Sequence, residues 1–331
     1  MSRLDVDVRL TLGSFQLGAA FAVPANGITC VFGPSGSGKS TLLSALAGVR
    51  RCDGQIRLGE RVLADHAQRL HIPPHQRGIG MVFQDSRLFP HLTVRQNMAY
   101  GWKRAPAAAR PALEEVAHFF DIGVVLDRPV GNLSGGEKSR VALARAVAAA
   151  PDFLLLDEPF AALDGARRRA FIQVLLRMHE TYKLPMMVVT HDVEDAATLA
   201  SHLVAMKDGK VVACGEFAAT SAQAAFRQLL DDRDLGVAIP APLLRSLSGG
   251  QFVWLRADQV LLAAQCPQAI SARNILEGTV TSLAKEAQDS VLVELLTAHG
   301  PVLSRITQEA RQELALTTGM RAWALVKAHT L

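Results

Sequence analysis

Residues 33–41 read GPSGSGKST, and no other stretch of the chain narrows its fold so far. The spacing GxxxxGK followed by Ser or Thr is met by Gly33, Gly38, Lys39 and Ser40, directly after the strand-like ITCVF and before the helix-like TLLSALAGV. A loop of this kind wraps phosphates. Its glycines let the backbone turn tightly, so that successive N–H groups and the N-terminus of the following helix face an anion. Lys39 then meets β/γ oxygens and Ser40 is placed to ligate magnesium. Gly33, Pro34, Ser35, Gly36, Ser37, Gly38, Lys39, Ser40 and Thr41 are therefore candidate nucleotide contacts, with Mg2+ expected beside the phosphates. The bland alternative is a Gly/Ser turn that caps a helix, which the strand before and the helix after weigh against.

From residue 1 to about 230, short apolar runs (GITCVF, GIGMVF, DFLLLDE, PMMVVT) alternate with helix-like segments. That pattern predicts an α/β domain with a largely parallel sheet covered by helices. Each run ends in a polar residue, and the carboxyl edge of such a sheet is where ligands bind. After FLLL, Asp157 can hold the magnesium shell and Glu158 can orient or deprotonate an attacking water. After MMVVT comes His191, whose imidazole could contact a γ-phosphate, and after GIGMVF comes Gln84, whose amide could reach magnesium or the water. Taken singly, acids at a strand end and one histidine among ten are ordinary structural residues; the upstream phosphate loop makes them catalytic candidates.

The stretch NLSGGEKSRVALARAVAAAP places Ser134, Gly135 and Gly136 at the start of an Ala-rich helix running toward Pro151. A Ser cap followed by bare glycine backbone is a second anion cradle. Lys39 already serves the phosphates within one chain, so the second cradle makes sense against the nucleotide of another subunit.

Bulk composition excludes several classes. A chain of 331 residues with 49% hydrophobic content can bury two cores. Its 35 basic and 31 acidic residues leave a net charge of only +4 without like-charge blocks, so charge argues for no nucleic-acid partner. Cys30, Cys52, Cys214 and Cys266 lie far apart, with neither a CxxC pair nor zinc-like spacing, and read as reduced thiols. The opening MSRLDVDVRL alternates charged and apolar residues as a first strand does. No stretch approaches the roughly 18 uninterrupted apolar residues of a membrane span; VALARAVAAAPDFLLLDEPF, for one, is broken by arginine, proline and acids. A membrane role would need another chain to supply the span.

In order, the phosphate loop, VFQ, LSGGE, LLLDEP, ALD and VVTHD resemble the nucleotide-binding domain of ABC transporters over about 230 residues. The resemblance implies a head-to-tail homodimer that sandwiches two ATP molecules, each held by Lys39 and Ser40 of one subunit and Ser134, Gly135, Gly136 and Glu137 of the other. Gln84, Asp164 and His191 match the glutamine loop, D-loop and switch histidine of that family. Ser139 stands where Gln is frequent, Ala161 where Ser is common, and Phe15 is the candidate for the aromatic that stacks on adenine. Residues 247–251 spell LSGGQ, a closer literal match to the family signature, yet they run into strand-like FVWLRA and are read as a linker turn without a phosphate role.

The segment IPPHQRGIGMVFQDSRLFPHLTVRQNMAYG resembles the ATPase subunits of importers, most of all those for molybdate. In that family this part forms a groove for a short helix of the membrane subunit, and Leu88, Phe89 and Pro90 are either contacts there or core residues. The expected organisation is an ABC nucleotide-binding domain over 1–232, a linker over 233–250 and a small β-rich, OB-like barrel over 251–331. Within the last, SARNILEGTV resembles the opening of molybdate-binding (Mop/TOBE-type) domains. Ser271, Arg273, Asn274 and Lys327 offer the hydroxyl, amide and cations that a tetrahedral oxyanion such as molybdate or tungstate wants, although SARN as a bare motif usually means a polar turn.

Together these features imply a peripheral ATPase on the cytoplasmic face of the inner membrane, working with two permease subunits and an external binding protein to import molybdate. Two alternatives stay open: an importer ATPase for sulfate, iron, polyamine or sugar, and a soluble ABC ATPase acting on DNA.

Overall fold

The structure is a computed structural model that describes residues 2–161, 163–244, 250–286 and 289–327. The chain divides into two compact units, one of residues 1–192 and 201–215 and the other of 193–200 and 216–331.

An 11-stranded sheet organises the first unit, in the order β6-β5-β4-β1-β2-β11-β10-β3-β9-β8-β7. Its strands are β1 (Arg3–Leu12), β2 (Phe15–Pro24), β3 (Ile28–Phe32), β4 (Asp53–Leu58), β5 (Arg61–Asp65), β6 (Leu70–His71), β7 (Ile79–Val82), β8 (Phe153–Asp157), β9 (Met186–Thr190), β10 (His202–Lys207) and β11 (Lys210–Glu216). Strands β10, β3, β9, β8 and β7 pair in parallel. All residues of β3, β8 and β9 are buried, which is why they read as unbroken apolar runs rather than alternating ones.

The other half of the sheet is different from the expectation. Strands β1, β2, β4, β5 and β6 form antiparallel hairpins, so the sheet is mixed rather than largely parallel. The reason lies in the turns. Gly13 between β1 and β2 and Gly59 between β4 and β5 both take positive φ, which permits tight hairpins that no crossover helix could replace.

Among the described residues the α-helices of this unit are α1 (Lys39–Leu46), α2 (Val94–Trp102), α3 (Leu113–Phe119), α4 (Gly135–Ala148) and α5 (Gly165–Tyr182). The first packs its Leu42, Leu43 and Leu46 into a core shared with Val6, Val8 and Ile56 of the hairpins. Helices α2 and α3 pack on α4, on which Val141, Ala142, Leu143 and Ala144 are buried.

In the second unit, α6 (Val193–Leu199) packs against β13 (Phe252–Arg256), itself paired with β12 (Gly236–Pro240). Residues 236–240 of the expected linker thus form a strand, and Val237 and Ile239 enter the core of this unit. Of the LSGGQ stretch, residues 247–249 lie outside the described residues.

A five-stranded antiparallel sheet follows, in the order β14-β18-β15-β16-β17: β14 (Leu261–Ala263), β15 (Asn274–Lys285), β16 (Ser290–Thr297), β17 (Gly300–Thr307) and β18 (Arg321–Val326). Strand β15 alternates buried and exposed residues along its first half, then breaks register between Val280 and Ser282. Such a bulge bends a strand and helps a small sheet curl over a single core, as an OB-like domain requires. No helix among the described residues is long and apolar enough to cross a membrane.

Candidate functional site

Strand order does the first part of the work. The neighbours β3, β9, β8 and β7 all point their carboxyl ends to one edge, and the residues after them are the phosphate loop, His191, Glu158 and Gln84. Positions 33 and 191, more than 150 residues apart in sequence, are one strand spacing apart in the sheet.

The loop itself depends on glycine. Gly36 and Gly38 take φ of 80° and 98°, and a Cβ on Gly38 would come 2.8 Å from Phe15 Cζ. A Cβ on Gly33 would overlap the carbonyl oxygen of Met206 on β10. Lys39 is buried, and its Nζ donates to the Gly33 and Pro34 carbonyls at 2.7 and 2.9 Å. Burial lowers its pKa, while the carboxylates of Glu158 and Asp157 push it back up. A phosphate reaching this ammonium would replace two carbonyl acceptors with charged oxygens, a stronger bond at the same site.

Ser40 Oγ, the first turn of α1, donates to Asp157 Oδ1 at 2.9 Å, across 117 residues of sequence. Burial pushes the Asp157 carboxyl up from its ordinary value, the Ser40 hydrogen bond opposes that, and Glu158 adds to it. A hydroxyl and a carboxylate held together, with the Gln84 amide lining the same cleft, are hard oxygen donors of the kind magnesium takes. Among the described residues no group of three or more His, Cys, Asp or Glu side chains gathers into a metal cage. A divalent ion here would complete its shell from phosphates and water, as Mg2+ ordinarily does.

The cleft has a volume of about 530 Å³ and is lined by Leu12, Phe15, Ser35, Gly36, Gly38, Lys39, Ser40, Thr41, Gln84 and Glu158. Phe15, at the start of β2, is half-buried and forms one wall. Glu158 adopts φ 45°, a left-handed conformation costly for a side chain with Cβ, which turns it out of the line of β8. His191 Nδ1 stands 3.7 Å from Glu158 Oε1 and is 57% exposed. Gly33, Pro34 and Ser37 belong to the loop but do not line the cleft; Ser37 is buried, its Oγ without a partner.

Ser134 and Glu137 cap α4 reciprocally. Glu137 N–H donates to Ser134 Oγ at 3.3 Å, and Ser134 N–H donates to Glu137 Oε2 at 2.7 Å. The Ser134 hydroxyl and backbone N–H beside it hold the Glu137 carboxyl below its usual range. Among the described residues a Cβ on Gly135 or Gly136 would meet nothing within 4 Å, and neither has positive φ, so none of them requires glycine there. Asp164 caps α5, accepting from Arg167 N–H at 3.0 Å. Leu88 and Phe89 are half-buried and Pro90 exposed, with Phe89 against Tyr100 at 4.5 Å between ring centroids.

Two cleft-side features escaped the motif reading. Leu12 lines the cleft from the end of β1. Arg168 on α5 pairs with Asp192 at 2.8 Å, tying that helix to the residue after His191. Arg168 sits in a run of three arginines, and only the fold singles it out.

In the second unit, Asn274 is buried while Ser271, Arg273 and Lys327 are exposed. The register pairs Asn274 with Val326, which brings Arg273 and Lys327 to the same end of adjacent strands.

Two family profiles match the chain: the ABC transporter profile over residues 18–161 and the TOBE domain profile over residues 270–331. Among its relatives is the molybdenum import ATP-binding protein ModC of Rhizobium meliloti (strain 1021), 38% identical over 99% of both chains. The protein of the same name from Rhodospirillum rubrum is 36% identical, over 99% of this chain and 97% of its own length. That from Methylococcus capsulatus is 36% identical over 96% of each. Among solved structures, cbiO1 of Clostridium perfringens, part of the ABC transporter complex cbiONQ, aligns with a TM-score of 0.56 at 24% identity, covering 68% of this chain and 92% of its own.

Proposed function

The chain belongs to the ABC transporter family, and from that premise we propose that it hydrolyses ATP to drive import of molybdate, as a head-to-tail homodimer beneath two membrane subunits supplied by an external binding protein. The observation that carries the ATPase reading is the meeting of Lys39, the Ser40–Asp157 pair, Gln84, Glu158 and His191 at one sheet edge around a single cleft.

Lys39 neutralises β/γ oxygens from below while the backbone N–H groups of the loop hold them in place. Glu158 accepts the proton of a water that adds to the γ-phosphorus as the bond to the ADP oxygen breaks. His191, 3.7 Å from Glu158, lies where it can hold the γ-phosphate and the carboxylate in one geometry. Ser40 and Asp157, with Gln84 beside them, would hold Mg2+, which when bound screens the phosphate charge. Phe15 offers its ring to adenine.

Gly135 and Gly136, whose added Cβ would meet nothing among the described residues, support a partner's nucleotide approaching their backbone. Closure of the dimer on ATP and reopening after hydrolysis would then be the source of work, through differential binding of ATP to the closed state. Half-exposed Leu88 and Phe89 and exposed Pro90 offer an apolar surface to a membrane subunit on the cytoplasmic side of the inner membrane.

Arg273 and Lys327, adjacent by register, are the cations proposed to receive molybdate or tungstate in the second unit. Calorimetry of the full chain with molybdate, against Arg273→Ala, tests this: equal heats for both, or none for either, would remove the role. The transport reading is tested by ATPase activity of the complex in liposomes with its binding protein. Stimulation by molybdate and tungstate but not by sulfate is expected, and stimulation by sulfate instead would leave the ATPase standing without its assigned substrate.

A further inference from the structure

Gln84 sits inside a tight turn. Ser86 N–H donates to the Phe83 carbonyl at 3.0 Å, and Arg87 N–H to the Asp85 carbonyl at 2.7 Å. Ser86 and Arg87 both adopt left-handed φ, 59° and 41°, although neither is glycine. A turn strained at two successive residues persists only where its surroundings hold it.

What holds it is Arg145. Its Nη1 donates to the Arg87 carbonyl at 2.8 Å and its Nη2 to the Ser86 carbonyl at 3.1 Å, so that one planar guanidinium grips both strained residues. The same group lies 5.3 Å from the centre of the Phe89 ring. Arg145 forms no ion pair among the described residues, and burial lowers its pKa. A partly buried cation without an acid is costly unless its donors are used, and here the peptide carbonyls use them.

Arg145 lies in the last turn of α4, whose N-cap is Ser134. Eleven residues of helix span roughly 16 Å and behave as one rigid rod. On the far side of the turn, buried Asn97 fixes the chain again, accepting from Phe89 N–H at 2.8 Å and donating to the Phe89 carbonyl at 3.2 Å.

We propose that Arg145 is a positioning residue that fastens the turn carrying Gln84 to α4, so that Gln84 in one nucleotide site and Ser134, which faces the other, move as one body. This rests on the reading of Gln84 and Ser134 given above.

The test is a double-mutant cycle on ATP hydrolysis by the full chain, with Gln84→Ala, Arg145→Met and the two combined, recording kcat, KM and nucleotide affinity. Arg145→Met should lower kcat about tenfold, less than the roughly hundredfold attached to a full 1 Å misplacement, and leave KM and nucleotide affinity within about twofold. The double variant should be no slower than Gln84→Ala alone, because Arg145 acts through Gln84. Arg145→Lys, a point cation that cannot span both carbonyls, should recover only part of the rate.

Multiplicative losses in the double variant, or an unchanged kcat in Arg145→Met, would overturn the proposal while leaving the Gln84 reading intact. An unchanged kcat in Gln84→Ala would overturn both. Should Arg145→Met fail to fold by thermal melting, the cycle with Arg145→Lys makes the same comparison.

Discussion

Replacing Gly136 by alanine separates what this chain needs from what a partner needs. Gly136 is the second residue of α4, has no positive φ, and a Cβ there meets nothing within 4 Å. For the isolated chain the change should stabilise, because alanine loses less backbone entropy on folding, by about 0.4–1 kcal/mol. At about 2–4 °C per kcal/mol for a unit of this size, the melting temperature should rise by about 1–4 °C. For hydrolysis the sign reverses. The new methyl extends roughly 1.5 Å from a backbone proposed to touch the phosphates of a partner's nucleotide, and a displacement of about 1 Å costs on the order of a hundredfold in rate. Steady-state ATPase at several protein concentrations, a thermal melt without nucleotide and a nucleotide titration of the single subunit together read all three quantities. A melting temperature that holds or rises, unchanged subunit affinity and a kcat down about a hundredfold are expected. Wild-type turnover in Gly136→Ala would refute the reasoning, since nothing could then approach that backbone closely.

The remaining expectations follow from the cleft. Glu158→Gln should retain ATP binding while hydrolysis falls by orders of magnitude, and retained turnover would remove Glu158 from the proton-accepting role. Gly33→Ala, whose methyl would overlap the Met206 carbonyl, should lower the melting temperature and weaken nucleotide binding together; normal affinity would show that the loop tolerates the shift. Asp157 has a pKa raised by burial, so the stability of its neutral form is present below the unfolded value and is lost as pH rises through the raised one. Asp157→Asn, uncharged at every pH, should therefore melt above the wild-type chain at neutral pH, with the gap closing toward about pH 4, and should hydrolyse poorly; melts that show no gap at neutral pH would refute the burial argument.

The most legible parts of the site were those whose chemistry is local. The phosphate loop is recognisable because only glycine tolerates the φ of positions 36 and 38, and because the lysine follows at a set distance. The chemical candidates at Asp157 and Glu158 could be read because an unbroken apolar run ends in two acids downstream of a phosphate loop; without that loop, acids at a strand end are ordinary. Less was legible in the first half of the sheet, where apolar runs did not distinguish hairpin from crossover partners. The segment around Gly236–Pro240, rich in proline and glycine, hid a strand whose apolar residues face a core that its own composition does not announce.

Arg145 and Arg168 belong to another kind of information. One reaches carbonyls 58 and 59 residues away, and the other meets Asp192 across an ion pair that no spacing rule encodes. Local chemistry sets the repertoire: which loop carries the glycine and lysine pattern suited to phosphate, which helices are capped, and which strands are buried, since these follow from φ preference, capping and periodicity within a few residues. The tertiary structure decided the assembly. Only the order β3-β9-β8-β7 brings Lys39, His191, Glu158 and Gln84 to one edge, and only the packing of α4 against the turn after β7 places the Arg145 guanidinium on two strained carbonyls. Strand order and helix packing are set by contacts between segments far apart in the chain, and those contacts leave no periodic trace in either segment.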